Sequence, residues 1–411
     1  MAETTLFVHD LEAAASPGGR GPLRGRDLGD LRVQAPASVA ISGDVVLAVG
    51  PPGEVLREHP PGPECVTVDG RGAVALPGLV DCHAHPAFLG DRAAEFELRS
   101  AGASYEEIHA SGGGILSTVE ATRRGGEEDL ASAVRRHLSW MLAHGTLTAE
   151  AKSGYGLDRE TEIKSLRAIA TASEENAIDV SPTFLGAHTV PPEFDSAAEY
   201  VEFVVTDVLP EAATLARQAD VFLERGSFEA PEARRYLEAC REHGLGLRLH
   251  ADQFSERGAI PLAIELGARS VDHLENTGEA GARLLARSDV AAVLLPACGL
   301  FLGLPLPPAR QLADQGAIVA LATDFNPGSS FTESLPLAMN LACTRLGLSP
   351  AEALIACTAN AAHVLDLPDV GRLAPGYRAD VLLLDAPDWR HLAYHLGGDR
   401  FSAVIKNGKL L

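Results

Sequence analysis

The chain has 411 residues, 46% of them hydrophobic and 22% charged, which are ordinary proportions for a globular protein. Its formal net charge of -22 argues against a nucleic-acid partner, because a polyanion binds surfaces with an excess of basic side chains. We expect neither a signal peptide nor a membrane span, since there is no basic leader and no uninterrupted apolar run of about 18 residues, and six cysteines without a CxxC pair indicate a reduced, cytoplasmic protein.

Both ends of the chain are predicted to form short β-strands. Their runs alternate apolar with polar residues or carry β-branched residues, and Gly and Pro turns separate them. These runs are LFVHDL, ASVAISGDVVLAVG and VTVDGRGAVAL near the N-terminus, and ADVLLLDAP and FSAVIKNGKLL near the C-terminus. Because chain ends often lie close together, residues 1–76 and 367–411 could pair into one small β domain.

The middle of the chain, residues 77–366, alternates short apolar runs with segments whose apolar residues recur at helical spacing. The apolar runs are LVDCHAH (79–85), TLTAEA (146–151), VSPTFLGAH (180–188), VFLE (221–224), LGLRLH (245–250), RSVDHLE (269–275), DVAAVLLP (289–296) and AIVALATD (317–324). A strand followed by a helix, repeated eight times, predicts an α/β fold, a (β/α)₈ TIM-like barrel.

Histidines end four of the eight predicted strands, and an aspartate ends the last. These residues are His83 and His85 on the first strand, His188 on the third, His250 on the fifth, His273 on the sixth and Asp324 on the eighth. The C-terminal strand ends of such a barrel meet at one mouth, and residues two apart on a strand face the same way. A single histidine is more often a hydrogen-bonded core residue, but this collective pattern predicts a metal site. Imidazoles with a carboxylate suit Zn²⁺ or Fe²⁺ and leave room for a water molecule.

The predicted metal site implies hydrolysis. A bound Zn²⁺ or Fe²⁺ lowers the pKa of water towards ~7. Asp324 is placed to accept the proton of that water and pass it to a leaving group. His273, which we expect to lie near the metal without binding it, could stabilise an oxyanion.

Several motifs resemble those of a known superfamily, from about residue 76 to the C-terminus. LPGLVDCHAH, LRLH, SVDHLE, LATDFNPGSS and GRLAPGYRADVLLLD resemble the amidohydrolase superfamily, and GDRAAEFELR, KSGYGL and TDFNPGSS together resemble its imidazolonepropionase family. The resemblance implies a barrel with a small β-sandwich built from both chain ends, commonly as a homodimer. It also implies one zinc or iron ion (Fe²⁺ or Fe³⁺) and an anionic small-molecule substrate, 4-imidazolone-5-propanoate, whose cyclic amide is hydrolysed to N-formimino-L-glutamate in histidine degradation.

The resemblance also assigns roles to individual residues. The positions that match metal ligands are His83, His85, His250 and Asp324. The positions that match those holding the imidazolone ring and its propionate are Arg92, Tyr155, His188, Asn326, Gly328 and Ser329. Gln253 matches a Glu or Gln that orients or activates the substrate, and since an amide is no base, its role here would be hydrogen bonding. His273 matches the histidine assigned to transition-state stabilisation.

Two of these assignments have ordinary alternatives on the residues alone. Arg92 lies in the predicted loop after the first strand, where a guanidinium could bind a carboxylate bidentately or form a surface ion pair. Tyr155 lies in a Gly-flanked loop after the second strand, where it could line a site or be a half-buried tyrosine. Both alternatives stay open at this point.

Alternatives also remain for the whole chain. Some relatives bridge two metals with a carboxylated lysine on the fourth strand, but here that strand ends at Glu224 and Lys152 follows the second, which favours one metal and a structural Lys152. A deaminase acting on an amino-substituted heterocycle would need no carboxylate anchor, so an active Arg92→Ala variant would favour it. A third alternative is a catalytically dead barrel that binds a ligand or partner. The intact set of three histidines and Asp324 argues against it, and a purified protein with no bound metal and no activity on reconstitution would favour it. The histidines away from strand ends are predicted to be surface residues: His109, His137, His144, His243, His363, His391 and His395.

Overall fold

A computed structural model describes residues 3–102, 113–398 and 400–411. The strands are β1 (Thr4–Leu11), β2 (Ala13–Pro17), β3 (Leu31–Gln34), β4 (Ala37–Ser42), β5 (Val45–Gly50), β6 (Pro61–Asp69), β7 (Val74–Pro77), β8 (Leu79–Asp81), β9 (Thr146–Lys152), β10 (Asp179–Ala187), β11 (Gln218–Leu223), β12 (Gly246–Ala251), β13 (Ser270–His273), β14 (Ala291–Leu294), β15 (Val319–Leu321), β16 (Val381–Leu384), β17 (Phe401–Lys406) and β18 (Lys409–Leu410).

The α-helices are Pro52–Glu58, Ala93–Ser100, Ile115–Arg124, Glu127–Ala143, Arg159–Glu174, Ala197–Phe203, Leu209–Ala212, Ala230–Glu242, Ala259–Leu266, Glu279–Ala286, Pro296–Leu302, Ala309–Gln315, Leu335–Arg345, Pro350–Ala356, Ala359–Val364 and His391–Tyr394. Side chains at several N-termini accept backbone N–H groups that the helix leaves unpaired, as Asp158 does from Thr161. Among the described residues, none of the helices combines the length and apolarity that crossing a bilayer requires.

Eight parallel strands, β8 to β15, form one sheet in sequential order. An isolated parallel bridge between Ala84 and Phe325 brings the last strand beside the first. Backbone bonds support it, because Asp324 donates to the carbonyl of His83 and His85 donates to that of Phe325. Each of the eight predicted runs overlaps a strand of this sheet, so the predicted α/β barrel is confirmed.

Both chain ends contribute to two further sheets, which we call the β domain. Their strand orders are β5-β4-β1-β6 and β18-β17-β16-β7-β2-β3. C-terminal β16 pairs antiparallel with N-terminal β7, and one apolar core joins the sheets through side chains such as Val8, Ile41 and Leu383. The two-ended β-sandwich is therefore confirmed, whereas the domain boundaries at 76/77 and 366/367 stay a prediction.

The barrel interior is charged beneath its mouth. Barrels of this type are usually filled by branched apolar side chains. Here the fully buried side chains include Glu150 and Lys152 of β9, Asp220 of β11, Arg248 of β12 and Asp272 of β13. Buried charges persist only when they are paired, so these strands carry an internal ion-pair network directly below the strand ends.

Candidate metal centre and active site

The structure brings the predicted strand-end residues together at one mouth. His83 and His85 follow β8, His250 lies in β12, His273 ends β13 and Asp324 follows β15. All five are buried. His188 follows β10 and is half-buried, with its ring stacked on that of His85 at 5.4 Å between ring centres.

The tightest group is formed by His83, His85 and Asp324. The two Nε2 atoms lie 3.2 Å apart, and Asp324 Oδ1 lies 3.6 Å from the first and 3.5 Å from the second. Nitrogens bound to one tetrahedral zinc ion are about 3.3 Å apart. His250 belongs to a neighbouring group with His83 and His273, in which the ligand atoms lie within 4.8 Å of one another. These distances fit a shared cation.

The surroundings of the imidazole Nδ1 atoms also favour a metal ion at this place. His83 Nδ1 lies 2.5 Å from Asp272 Oδ2, and His250 Nδ1 lies 2.9 Å from Asp220 Oδ2. Burial lowers the pKa of His83 well below its ordinary value and that of His250 to about 4, so both rings are neutral. His83 Nδ1 forms a hydrogen bond with Asp272, whereas His250 Nδ1 faces Asp220 Oδ2 without hydrogen-bond geometry. A neutral ring that donates through Nδ1, as His83 does, presents a lone pair at Nε2. The Nε2 lone pair of His83 is therefore available between His85 Nε2 and Asp324 Oδ1, 3.2 and 3.6 Å away, where a metal ion would be held.

Backbone strain is concentrated at this mouth. His273 has φ +85 and Asp324 has φ +54, in the left-handed region that non-glycine residues rarely adopt. Asp324 Oδ2 accepts a hydrogen bond from Ser329 Oγ at 3.3 Å. Burial by itself lowers the pKa of His273, but the carboxylate of Glu275, 3.4 Å from its Nδ1, outweighs that effect and raises the pKa above its ordinary value. The raised pKa favours the imidazolium, which donates hydrogen bonds.

The side-chain amide of Asn326 is occupied by hydrogen bonds within the loop that follows β15. Its Oδ1 accepts the N–H groups of Gly328 and Ser329, each at 2.8 Å. Its Nδ2 donates to the carbonyl of Asp324 at 2.6 Å and to Ser329 Oγ at 2.8 Å. This side chain therefore fixes the position of Asp324 relative to Ser329.

Arg92 lies against the same loop. Its Nε donates to Thr118 Oγ1 at 3.1 Å, and its guanidinium packs on Gly328 so closely that a Cβ there would overlap it. The side chain is only 11% exposed, and Glu95 approaches its Nε no closer than 4.0 Å. Among the described residues Arg92 thus forms no close ion pair, which favours an external carboxylate as its partner.

Tyr155 and His188 form an aromatic wall beside His85. Tyr155 is buried, with its ring centre 5.3 Å from that of His188 and 6.2 Å from that of His85. His188 Nδ1 lies 2.9 Å from the carbonyl oxygen of Gly154. Burial lowers the pKa of His188 to about 3, so the neutral ring donates through Nδ1 and keeps Nε2 as an acceptor.

Buried Glu162 holds the loop that carries Tyr155. Its carboxylate accepts the backbone N–H groups of Gly154, Gly156 and Leu157 at 3.1, 2.8 and 3.0 Å. The sequence analysis did not single out Glu162, because a glutamate in the first turn of a helix resembles an ordinary solvent-facing residue.

Gln253 is buried at the mouth after β12, where its Nε2 donates to Cys298 Sγ at 3.5 Å. Asn276 Nδ2 donates a hydrogen bond to the backbone carbonyl of Gln253 at 2.6 Å. Glu224 accepts the N–H groups of Phe254 and Ser255 at 2.9 and 3.1 Å, which holds the following residues. Glu224, at the end of β11, thus serves to shape the neighbouring loop.

The prediction of a surface position for His137 is wrong. Its ring is buried, stacks on Phe88 at 4.5 Å between ring centres and places Nδ1 2.8 Å from the carbonyl of Pro86. Burial lowers its pKa to about 4. His137 therefore braces the chain just beyond His85. Of the others, His243, His391 and His395 are exposed, His144 and His363 are half-buried, and His109 lies outside the described residues.

The sequence is similar to those of a known family of proteins. Residues 74–411 match the model of the amidohydrolase family. An imidazolonepropionase of Rubrobacter xylanophilus is 74% identical over 412 residues, covering 100% of this chain and 99% of that protein. An imidazolonepropionase of Chloroflexus aggregans is 46% identical over 430 residues, covering 100% and 99%.

Solved structures share the fold at lower identity. A zinc-bound adenosine deaminase from Xanthomonas campestris has a TM-score of 0.73 at 18% identity, covering 100% of this chain and 93% of that one. A mutant atrazine chlorohydrolase from Arthrobacter aurescens, complexed with zinc and atraton, has a TM-score of 0.70 at 19% identity, covering 99% and 95%.

Proposed function

The chain belongs to the amidohydrolase family and, within it, to the imidazolonepropionases, and from this membership we propose that it hydrolyses the ring amide of 4-imidazolone-5-propanoate to N-formimino-L-glutamate. The observation that supports this proposal most strongly is the meeting of His83, His85 and Asp324 next to Arg92, whose nearest carboxylate among the described residues is that of Glu95 at 4.0 Å. A metal-binding group and a carboxylate anchor together suit a cyclic amide that carries an acidic tail.

We propose a single divalent ion, Zn²⁺ or iron, at this centre, held by His83, His85, His250 and Asp324. Formal charge supports one ion. Within the ion pairs at and below the centre, the cations are Lys152 and Arg248, and the carboxylates are Glu150, Asp220, Asp272 and Asp324. Protonated His273 and Glu275 form a separate buried pair that adds no net charge. Two negative charges remain, which one divalent ion neutralises. When bound, such an ion supplies Lewis acidity and lowers the pKa of water towards ~7.

Asp324 and His273 carry the proton chemistry in this proposal. Asp324 accepts a proton from the attacking water and returns it to the ring nitrogen as the amide C–N bond breaks. His273 donates a hydrogen bond to the carbonyl oxygen as negative charge develops there. Water adds across the amide bond, which leaves a carboxylate and the formimino group.

The remaining residues hold the substrate. Arg92 binds the propionate carboxylate. Tyr155 packs against the ring, and His188 accepts a ring N–H through its free Nε2. Gln253 and Ser329 offer further hydrogen-bonding groups, while Asn326 and Gly328 shape the loop beside Arg92. A homodimer and a cytoplasmic location stay predictions from the sequence.

Removal of the metal tests the proposal directly. We expect the purified protein to contain about one zinc or iron ion per chain and to consume imidazolone propionate, followed by the loss of its ultraviolet absorbance. Treatment with a chelator should abolish this consumption, and added Zn²⁺ or Fe²⁺ should restore it. Equal consumption before and after complete metal removal would contradict a metal-dependent hydrolase.

Gly328→Ala should raise KM by about 10- to 100-fold with a smaller change in kcat, because the added methyl group displaces the Arg92 guanidinium from its place. Gly328 does not have a positive φ, so the substitution adds bulk without backbone strain. Gly53→Ala is the matched control, since nothing lies within 4 Å of a Cβ at that position. Steady-state kinetics measure both constants, and an unchanged KM would contradict the proposal that Arg92 binds the carboxylate of the substrate.

A further inference from the structure

We propose that Glu150 is a positioning residue that sets the metal affinity of the centre through a continuous chain of buried ion pairs ending on His83 and His250. The inference rests on the proposed metal ligands, but it concerns a residue that touches none of them. Glu150 lies in β9, whereas His83 follows β8 and His250 lies in β12. We call the five charged residues Glu150, Lys152, Asp220, Arg248 and Asp272 the ion-pair chain.

One arm of the ion-pair chain leads from Glu150 to His83. Glu150 Oε1 lies 2.6 Å from Arg248 Nη1. Arg248 Nη2 lies 2.5 Å from Asp272 Oδ2, and the same oxygen lies 2.5 Å from His83 Nδ1. The guanidinium thus holds the oxygen that fixes the ring of His83 and leaves its Nε2 facing the metal position.

The other arm leads from Glu150 to His250. Glu150 Oε2 lies 2.9 Å from Lys152 Nζ, and Lys152 Nζ lies 2.7 Å from Asp220 Oδ2. That oxygen lies 2.9 Å from His250 Nδ1. Both histidines are therefore oriented by carboxylates whose own partners are cations held by one glutamate.

Burial makes the ion-pair chain sensitive to any change within it. All five side chains have 0% exposure, so water cannot replace a lost partner. Neutral side chains fix three of the members further. Ser270 Oγ accepts a hydrogen bond from Arg248 Nε at 3.0 Å and donates one to Asp272 Oδ1 at 2.6 Å. Thr183 Oγ1 donates to Glu150 Oε1. In this low-dielectric interior an uncompensated charge draws its neighbours to new partners.

Glu150 is the informative residue because it lies between the two cations. Neutralising it leaves Arg248 and Lys152 without their shared anion, so both can shift towards Asp272 and Asp220 and change how those carboxylates hold the rings. It also removes one of the negative charges that a divalent ion balances. Both effects weaken metal binding without altering a ligand.

The test compares Glu150→Gln with Asp380→Asn, which removes a carboxylate of similar burial in the β domain, 2.7 Å from Lys406 Nζ. Zn²⁺ affinity of the metal-free full chains is measured by competition with a chelating dye, and Co²⁺ absorption reports ligand geometry. We expect Glu150→Gln to bind Zn²⁺ about 10- to 100-fold more weakly and to change the Co²⁺ spectrum, and Asp380→Asn to bind within twofold of the parent chain. Unchanged affinity in folded Glu150→Gln would overturn the proposal.

Two further variants keep the outcome clear. If Glu150→Gln does not fold, Thr183→Val removes only the hydroxyl that donates to Glu150 and should weaken Zn²⁺ binding several-fold, whereas parent-like affinity in that variant would overturn the proposal. His85→Asn separates this inference from the proposed function. Zn²⁺ binding lost in His85→Asn but intact in Glu150→Gln refutes the positioning role alone, and Zn²⁺ binding intact in His85→Asn refutes the metal centre and the inference with it.

Discussion

Asp324→Asn should lower kcat by about 10³- to 10⁴-fold, the largest loss expected from a single conservative change in this chain. The carboxylate lies 3.6 and 3.5 Å from the Nε2 atoms of His83 and His85, where it can both bind a metal and receive a proton. An amide keeps the shape and the hydrogen bond to Ser329 but accepts no proton at neutral pH. Initial rates of substrate loss, measured with excess Zn²⁺, give the change in kcat.

Metal content separates the two duties of Asp324. A variant that binds one Zn²⁺ and remains inactive has lost the proton carrier, and a variant that binds none has lost a ligand. Asp252→Asn is a matched control, because Asp252 is also a buried carboxylate at the mouth with a positive φ and bonds Thr277 Oγ1 at 2.8 Å. We expect its kcat to stay within about tenfold of the parent value. A metal-bound Asp324→Asn with kcat in that same range would show that another group moves the proton.

The fold and the meeting of the strand-end residues could be predicted from the sequence because they depend on local periodicity and on one rule of barrel geometry. Apolar runs of strand length recur eight times, and their C-terminal ends must converge. His83 and His85 share a face because strands have a period of two. The convergence of these residues with Asp324 follows once the eight runs are counted correctly.

The ion-pair chain could not be predicted, although its signal is present. Polar residues occupy alternate positions of β9 and β12, but which carboxylate meets which cation depends on the strand register. His250 is paired in register with Asp272, while Asp272 contacts His83 instead. The pairing of His83 with Asp272, 189 positions apart, arises from barrel closure, which local patterns do not encode.

His137 shows a different failure, in which the signal was available and was overlooked. It lies in the helix Glu127–Ala143, at helical spacing from buried Leu130, Val134 and Met141. A residue in that row faces the barrel, whatever its polarity. Glu162 and Glu224 illustrate the opposite difficulty, because a carboxylate that binds backbone N–H groups of a folded loop looks in sequence like any surface glutamate.

His273→Ala should lower kcat by about 10²- to 10³-fold while KM changes little, because the lost hydrogen bond forms to charge that develops only in the transition state. The residue ends β13 with φ +85, and Glu275 Oε1 lies 3.4 Å from its Nδ1. These features fix the ring and favour its protonated form, and we expect its other nitrogen to face the reacting carbonyl. Because histidine adopts a positive φ more readily than alanine, the unfolding temperature of the variant is measured first to establish that the backbone is retained.

Metal analysis again determines the interpretation, because His273 shares a group of close ligand atoms with His83 and His250. Zn²⁺ affinity equal to that of the parent chain, with kcat reduced, supports an oxyanion donor, whereas a large loss of affinity would make His273 a ligand. The double variant with Asp324→Asn sharpens the result. If proton transfer and oxyanion stabilisation act on one transition state, the double loss should be much smaller than the product of the single losses, and a fully multiplicative loss would mean that the two residues act in separate steps.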